Sequence, residues 1–384
     1  MIERTLQKHL QAMAKLFPVV SVLGPRQSGK TTLIRMSFPT LPYLNLEHPP
    51  SRQFALDDPV YFLSQYQHGV IIDEIQHVPE LLSYIQVIVD EQQENGLFIL
   101  TGSNQSELGS QFSQSLAGRN AILQLLPFSL EELSEPFAQA NNFIIQGGFP
   151  RIFDQQIPPV DFLHAYVSRY LERDVRSMLN IRHLRQFERF LALCAGRSGQ
   201  LLNTTNLGNE LGVDHKTISQ WISVLEASSL LYLLRPYHQN FNKRIIKSPK
   251  LYFTDTGLAA YLLGIYSQNH LTQHPLRGAL FETIVISEIL KTRIHRGLRP
   301  DLYFFRDNNG NEIDLILEND GQTLAIEVKS SMTINPSFFK QLTFWQKISG
   351  TRSESSFLVY GGETWQKRSK ATIVPWKDCH KIII

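Results

Sequence analysis

Residues Gly24-Pro25-Arg26-Gln27-Ser28-Gly29-Lys30-Thr31 follow directly on the apolar run Pro18 to Leu23 and directly precede a helical segment. They fit G-x-x-x-x-G-K-[ST], and strand, glycine-bracketed loop and helix in that order leave few folds open. The glycines let the backbone curl so that successive N–H groups point at one anion, and the positive end of the helix beginning at Lys30 adds to that cradle. Gly24 to Thr31, with Thr32 next in line, are therefore expected to hold a polyphosphate. Lys30 would reach the β and γ phosphates and Thr31 would ligate Mg²⁺.

A second segment belongs with the first. Gly69-Val70-Ile71-Ile72-Asp73-Glu74-Ile75 puts Asp73 and Glu74 at the C-terminal end of a buried strand, where open α/β sheets bind ligands. Asp73 is expected to hold the magnesium shell and Glu74 to orient and deprotonate an attacking water. Two solvated carboxylates opening a helix would leave the same pattern. The next apolar run ends in Thr101-Gly102-Ser103-Asn104, so Ser103 and Asn104 arrive beside the same crevice, able to sense a γ-phosphate or position water. Arg119 lies just before a fifth apolar run. It is either a group that stabilises transferred-phosphate charge in a neighbouring subunit or a surface arginine closing a helix.

The five apolar runs, PVVSVLG, YLNLE, GVIIDEI, GLFILTG and NAILQLLPF, alternate with helical stretches, the mark of a doubly wound parallel sheet. Residues 1–135 carry 8 basic and 14 acidic side chains, residues 136–265 carry 14 and 9, and residues 266–384 carry 15 and 12. The pattern changes at the same places, which predicts three domains: 1–135, 136–265 and 266–384. A content of 42% hydrophobic and 19% charged residues excludes a disordered chain. Overall net charge is +2, so the chain lacks the basicity of a protein coating nucleic acid, although a local basic surface stays open. No apolar run approaches the ~20 residues that span a bilayer. Two cysteines, Cys194 and Cys379, are too few for a disulfide framework and favour a reducing compartment, so a cytoplasmic, membrane-free protein is expected.

The segments GPRQSGKTT, IIDEIQ and LTGS resemble those of the AAA+ ATPases, specifically a prokaryotic group with a GPRQ[SV]GKTT loop. The resemblance implies a five-stranded parallel sheet in the order 5-1-4-3-2, ATP rather than GTP, and homo-oligomers with shared sites. It extends to Gly147-Gly148-Phe149-Pro150-Arg151, similar to that group's lid motif, and implies that Pro150 lies near the adenine.

Residues 200–254 predict a helix near Thr204 to Leu211, a turn at Gly212-Val213, a second helix capped by Asp214 and two strands forming a wing. His215, Lys216, Thr217 and Gln220 project from the start of the second helix, the part that enters a major groove in DNA-binding examples. Arg235, Lys243, Arg244, Lys247 and Lys250 follow with no acid among them and suit phosphate contacts. Winged helices also serve as protein-packing modules, and both readings stay open.

Near the C-terminal end, NEIDLILENDGQTLAIEVKS reads as two alternating strands around an Asp320-Gly321 turn. Counting out from that turn pairs Asn319 with Gln322, Asp314 with Glu327 and Glu312 with Lys329. One face then carries Ile313, Leu315, Leu317, Leu324, Ile326 and Val328, and the other carries the four charges. Like charges directly opposed are destabilising. A divalent cation held by Asp314 and Glu327 would offset that, as would Lys329 on a solvated hairpin. The spacing resembles the PD-(D/E)XK nucleases, which implies that Asp314 and Glu327 hold a metal, that Lys329 steadies the attacking water and that Glu282 adds an acid from the preceding helix. Ile313 stands where that pattern has proline.

The combined expectation is an α/β chain: a P-loop ATPase domain, a helical and winged-helix domain, and a nuclease-like α/β domain. ATP and Mg²⁺ are the expected cofactors and DNA the expected partner. Metal-dependent DNA cleavage or a nucleotide-gated DNA- or protein-binding switch without cleavage would complete it.

Overall fold

Strands β1 (Val19–Leu23), β2 (Tyr43–Asn45), β3 (Val70–Asp73), β4 (Phe98–Gly102) and β5 (Asn120–Gln124) form a parallel sheet in the order β2-β3-β4-β1-β5. This is the order expected from the resemblance. β1, β3 and β4 are buried along their whole length, as central strands covered on both faces have to be. Alternate residues face opposite ways. Val19, Val70, Ile72, Phe98 and Leu100 pack with Phe62 of α4 (Pro59–Ser64) and Leu82, Ile85 and Val89 of α5 (Leu81–Gln92). Val20, Val22, Ile71, Ile99 and Leu123 pack with Leu6 and Leu10 of α1 (Leu6–Ala14) and Leu33 and Ile34 of α2 (Lys30–Ser37). Each such side chain taken from water contributes about 1.5–3 kcal/mol. The computed structural model describes residues 2–103, 115–133, 137, 139–171, 184–237, 247–319 and 321–383.

The chain divides into two compact units. The first is residues 1–128 together with 227–229 and 294–298, and the second holds the remainder. The change of pattern near residue 135 thus lies close to a structural division. The change near residue 265 does not, because one sheet runs across it. That sheet has nine strands in the order β13-β14-β12-β11-β10-β9-β7-β8-β6. They are β6 (Gln200–Leu201), β7 (Leu231–Pro236), β8 (Lys250–Phe253), β9 (Leu302–Arg306), β10 (Glu312–Asn319), β11 (Gln322–Lys329), β12 (Ser356–Tyr360), β13 (Gln366–Lys367) and β14 (Thr372–Pro375). The join is the parallel pairing of Arg235 and Pro236 on β7 with Tyr303 and Phe304 on β9.

The hairpin register from Leu315↔Ile326 to Asn319↔Gln322 is the one counted out from the turn. Asp320 of that turn lies outside the described residues. The face assignment needs a correction. The pairing of β10 with β9 shifts by one residue between Ile313 and Ile316, a bulge that moves Ile313 to the face of Ile316. Ile313, Ile316 and Ala325 pack together with Leu342 and Trp345 of the helix Lys340–Ser349. The hairpin is therefore apolar on both faces along its middle, with Glu312, Asp314, Glu327 and Lys329 at the end away from the turn and Glu318 beside the turn. Strict alternation could not reveal this, because a bulge leaves no mark on the pattern of a single strand.

Candidate functional site

The cradle is built as its sequence requires. A Cβ on Gly24 would stand 2.1 Å from the Leu125 carbonyl oxygen, so no other residue fits beneath the end of β5. Lys30 opens α2, is 5% exposed and donates through Nζ to the carbonyls of Gly24 and Pro25, at 3.0 Å each, which closes the loop on itself. Arg26 pairs with Glu47 at 3.4 Å. Gln27 holds a left-handed conformation at φ +60°. Among the described residues, Gln27 Oε1 and Ser28 Oγ are buried with no hydrogen-bond partner, and the Ser28 hydroxyl is free to donate to a phosphate oxygen. Thr32, on the exposed side of α2, points away from burial.

Arg4 was not visible as a site residue in the sequence. Its buried guanidinium donates to the carbonyls of Ser28 at 2.8 Å and Leu126 at 2.6 Å, so the segment before α1 braces the loop.

Asp73 ends β3 beside this loop, 3% exposed. Its Oδ2 accepts from Thr31 Oγ1 at 2.9 Å and from Tyr43 Oη at 2.6 Å, and its Oδ1 accepts from Thr101 Oγ1. Burial, and then the neighbouring Asp73 carboxylate, push the Tyr43 hydroxyl well above its ordinary pKa, so it stays a donor. Glu74 sits left-handed at φ +59°, a conformation that costs a non-glycine residue about 1–2 kcal/mol. Its N–H donates to Thr101 Oγ1 at 3.1 Å and its carboxylate accepts from Gln76, which also reaches Ser103 Oγ at 3.1 Å. Lys30, Thr31, Asp73, Glu74 and Ser103 thus converge at the C-terminal edge of the sheet, and Tyr43 and Gln76 join them. Tyr43 could have been found by parity, since Asn45 pairs with Asp73 and Tyr43 shares its face of β2. A hydroxyl, a carboxylate and a phosphate cradle at one point suit a magnesium ion, which prefers one or two protein oxygens plus substrate phosphates. Asn104 lies outside the described residues.

Arg119 stands at the other edge of the sheet, where β5 begins, and its guanidinium forks onto both oxygens of Asp90 at the end of α5. It does not serve the site of its own chain. Pro150 lies in the second unit, buried at the first position of a short helix (Pro150–Asp154). The glycines before it have a local reason. Gly147 has φ +67° and a Cβ there would stand 2.4 Å from Asp255 Oδ1, while Gly148 N–H donates to Asp255 Oδ2 at 2.7 Å.

The helix Thr204–Leu211, capped by Asn203 and ended by Gly212, and the helix His215–Ala227, where Asp214 accepts from Thr217 N–H at 2.7 Å, fall at the expected bounds. β7 pairs antiparallel with β8. His215, Lys216, Gln220 and Lys247 are exposed and Thr217 is half-buried. Lys243 and Arg244 lie outside the described residues. Lys250 has to be withdrawn from the basic surface. It is 3% exposed, and its Nζ meets Glu282 Oε1 at 3.3 Å and Glu312 Oε1.

That lysine belongs to an ion cluster built on the acids that were expected to hold a metal. Lys329 Nζ lies 2.6 Å from Glu327 Oε1 and 3.7 Å from Asp314 Oδ2, Val328 N–H donates to Asp314 at 2.8 Å, and Tyr252 Oη donates to Glu282. Among the described residues no three His, Cys, Asp or Glu side chains form a group that could hold a metal ion. Asp314, Glu327 and Glu282 nevertheless stand together, since Asp314 raises the carboxyls of both glutamates and Glu282 raises that of Glu327. Lys329 pairs with Asp314 and Glu327, and Lys250, which arrives from a strand that sequence patterning had assigned to another domain, pairs with Glu282. One irregularity is left. Glu327 Oε2 is buried without a partner, and burial, with Asp314 beside it, pushes the Glu327 carboxyl up to about 8 against the pull of Lys329.

A five-stranded 5-1-4-3-2 sheet with a phosphate loop and an acidic strand end defines a P-loop ATPase domain of the AAA type. Residues 16–134 match the AAA domain, residues 138–269 a domain of unknown function (DUF8612) and residues 277–379 a domain of unknown function (DUF4143). The uncharacterized protein Rv2008c of Mycobacterium tuberculosis is 30% identical over 321 residues, covering 82% of this chain and 71% of that protein. The uncharacterized protein MJ1544 of Methanocaldococcus jannaschii is 24% identical over 349 residues, 81% of this chain and 75% of that protein. Among solved structures, a Walker-type ATPase of Pyrococcus abyssi aligns at a TM-score of 0.46 and 15% identity, over 67% of this chain and 94% of that one. This chain belongs to the family of AAA-domain proteins that includes Rv2008c. Among the described residues no helix is long and apolar enough to cross a membrane.

Proposed function

We propose that this protein is a magnesium-dependent ATPase whose nucleotide state governs DNA contact through residues 200–254, without cleavage of the DNA by its C-terminal region. The observation that carries the first part is the 2.9 Å hydrogen bond from Thr31 Oγ1 to Asp73 Oδ2, which ties the phosphate loop to the acidic strand end. Thr31 and Asp73 would hold the ion, which when bound neutralises charge on the β and γ oxygens. Lys30 would exchange the Gly24 and Pro25 carbonyls for phosphate oxygens, and Glu74, with Gln76 and Ser103 beside it, would orient and deprotonate water. Glu74→Gln is expected to bind ATP and to lose turnover by about 100-fold or more, whereas Lys30→Ala loses binding. Undiminished turnover in Glu74→Gln would remove the base role, and a wild-type protein that binds no ATP would remove the reading.

DNA contact is supported by the two helices and the antiparallel strands that follow them, a winged-helix arrangement, with His215, Lys216 and Gln220 exposed where a groove-reading helix begins. Affinity for DNA is expected to fall steeply as salt is raised. Salt-insensitive or absent binding would favour a protein partner. The reading without cleavage is supported by the ion pairs that Lys250 and Lys329 make with the acids. Plasmid nicking by the wild type in Mg²⁺ or Mn²⁺, abolished in Asp314→Ala, would reinstate the nuclease reading. In a homo-oligomer, Arg119, remote from its own loop, would serve the site of a neighbouring copy.

A further inference from the structure

Asp73 takes three hydroxyl hydrogen bonds, from Thr31, Thr101 and Tyr43. Two of these follow from the phosphate loop and the neighbouring strand end, but the third comes from β2, an edge strand outside both motifs. Tyr43 Oη and Thr31 Oγ1 share one carboxylate oxygen, so the two hydroxyls flank the direction in which Asp73 faces the loop. Packing does not hold the tyrosine ring on every side. Arg35 stacks over it at 4.8 Å, and a cavity of about 510 Å³, lined by Thr31, Arg35, Met36, Leu41 and Tyr43, opens beside it. The hydrogen bond to Asp73 adds to the packing of the ring on the apolar cluster beneath it, and the hydroxyl in turn joins Thr31 and Thr101 in orienting the carboxylate.

We propose that Tyr43 is a positioning residue for the divalent cation of the nucleotide site, holding the Asp73 carboxylate in the orientation that meets the ion at Thr31. The proposal rests on the ATPase reading and adds to it a residue that neither sequence motif contains. Groups that orient a metal-binding carboxylate typically govern about 10–100-fold in metal affinity. Nucleotide held by the cradle and Lys30 alone does not involve Tyr43.

The test measures ATP affinity of the full chain in EDTA and in Mg²⁺, and takes the ratio of the two. Tyr43→Phe keeps the ring and its packing. It is expected to leave affinity in EDTA unchanged, to cut the gain conferred by Mg²⁺, and to raise the Mg²⁺ concentration at half-maximal binding by about 10-fold or more. Tyr43→His, which keeps a ring donor, is expected to recover part of the gain and serves as the readout should the phenylalanine variant not fold. An unchanged ratio in Tyr43→Phe would overturn the role of Tyr43 alone. Equal weakening with and without Mg²⁺ would show a merely structural part and overturn it as well. A wild-type chain that binds no ATP would overturn both readings together.

Discussion

The residues that make the nucleotide site differ in how openly they announce themselves. Gly24, Lys30, Thr31, Asp73 and Glu74 are legible because each sits at a fixed offset from a strand end, and the chemistry of phosphate binding permits few substitutes. Gly24→Ala tests the steric part. A methyl group 2.1 Å from the Leu125 carbonyl forces the loop and β5 apart, so a loss of about 1–3 kcal/mol or more and loss of ATP binding are expected, read by thermal melts and titration. Glu327 tests the electrostatics of the second unit. Its carboxyl titrates at about 8 in the folded protein against an ordinary value of 4.5, so the folded state favours the protonated form. The stability this contributes is present below pH 4.5 and is lost as the pH rises through 8. Glu327→Gln should therefore melt higher than the wild type at pH 9, with the advantage shrinking toward pH 5. A constant offset across that range would refute the assignment. Arg4 announced nothing and Tyr43 gave only the faint signal of alternation along β2, because their partners lie 24 or more residues away and an arginine or a tyrosine carries no motif of its own.

Among the elements, the helices and strands of residues 200–254 and the hairpin register were legible from capping residues and from turn spacing. The bulge in β10 was not, since it exists only in the pairing with β9. The GGFPR segment also has a reason that only the fold reveals. It resembles a lid motif, and its backbone is shaped by Asp255, which accepts from Gly148 N–H and also caps its own helix by accepting from Leu258 N–H at 2.9 Å. Asp255→Ala leaves two buried donors unpaired, so a loss of about 2–4 kcal/mol is expected, measurable by urea unfolding. A change under about 0.5 kcal/mol would show that the junction is held by apolar packing alone.

For the whole molecule, the first unit is not a simple N-terminal segment, because residues 227–229 and 294–298 complete it. Gln124 bonds Ser229 Oγ at 2.7 Å, His295 Nε2 accepts from Leu126 N–H at 3.1 Å, and His9 packs over Gly297. Residues 1–135 expressed alone are accordingly expected to melt at lower temperature than the corresponding transition in the full chain, and an equal melting temperature would contradict this. By itself the sequence determined the parallel sheet, the phosphate cradle and the acidic strand end, because each follows from local periodicity and short fixed spacings, while the strand order came from the family resemblance those motifs carry. Only the tertiary structure decided which charges neutralise one another, that one sheet joins the central and C-terminal regions, and that Tyr43 orients Asp73. Those outcomes depend on contacts between residues far apart in the chain, and such contacts leave no periodic trace in it.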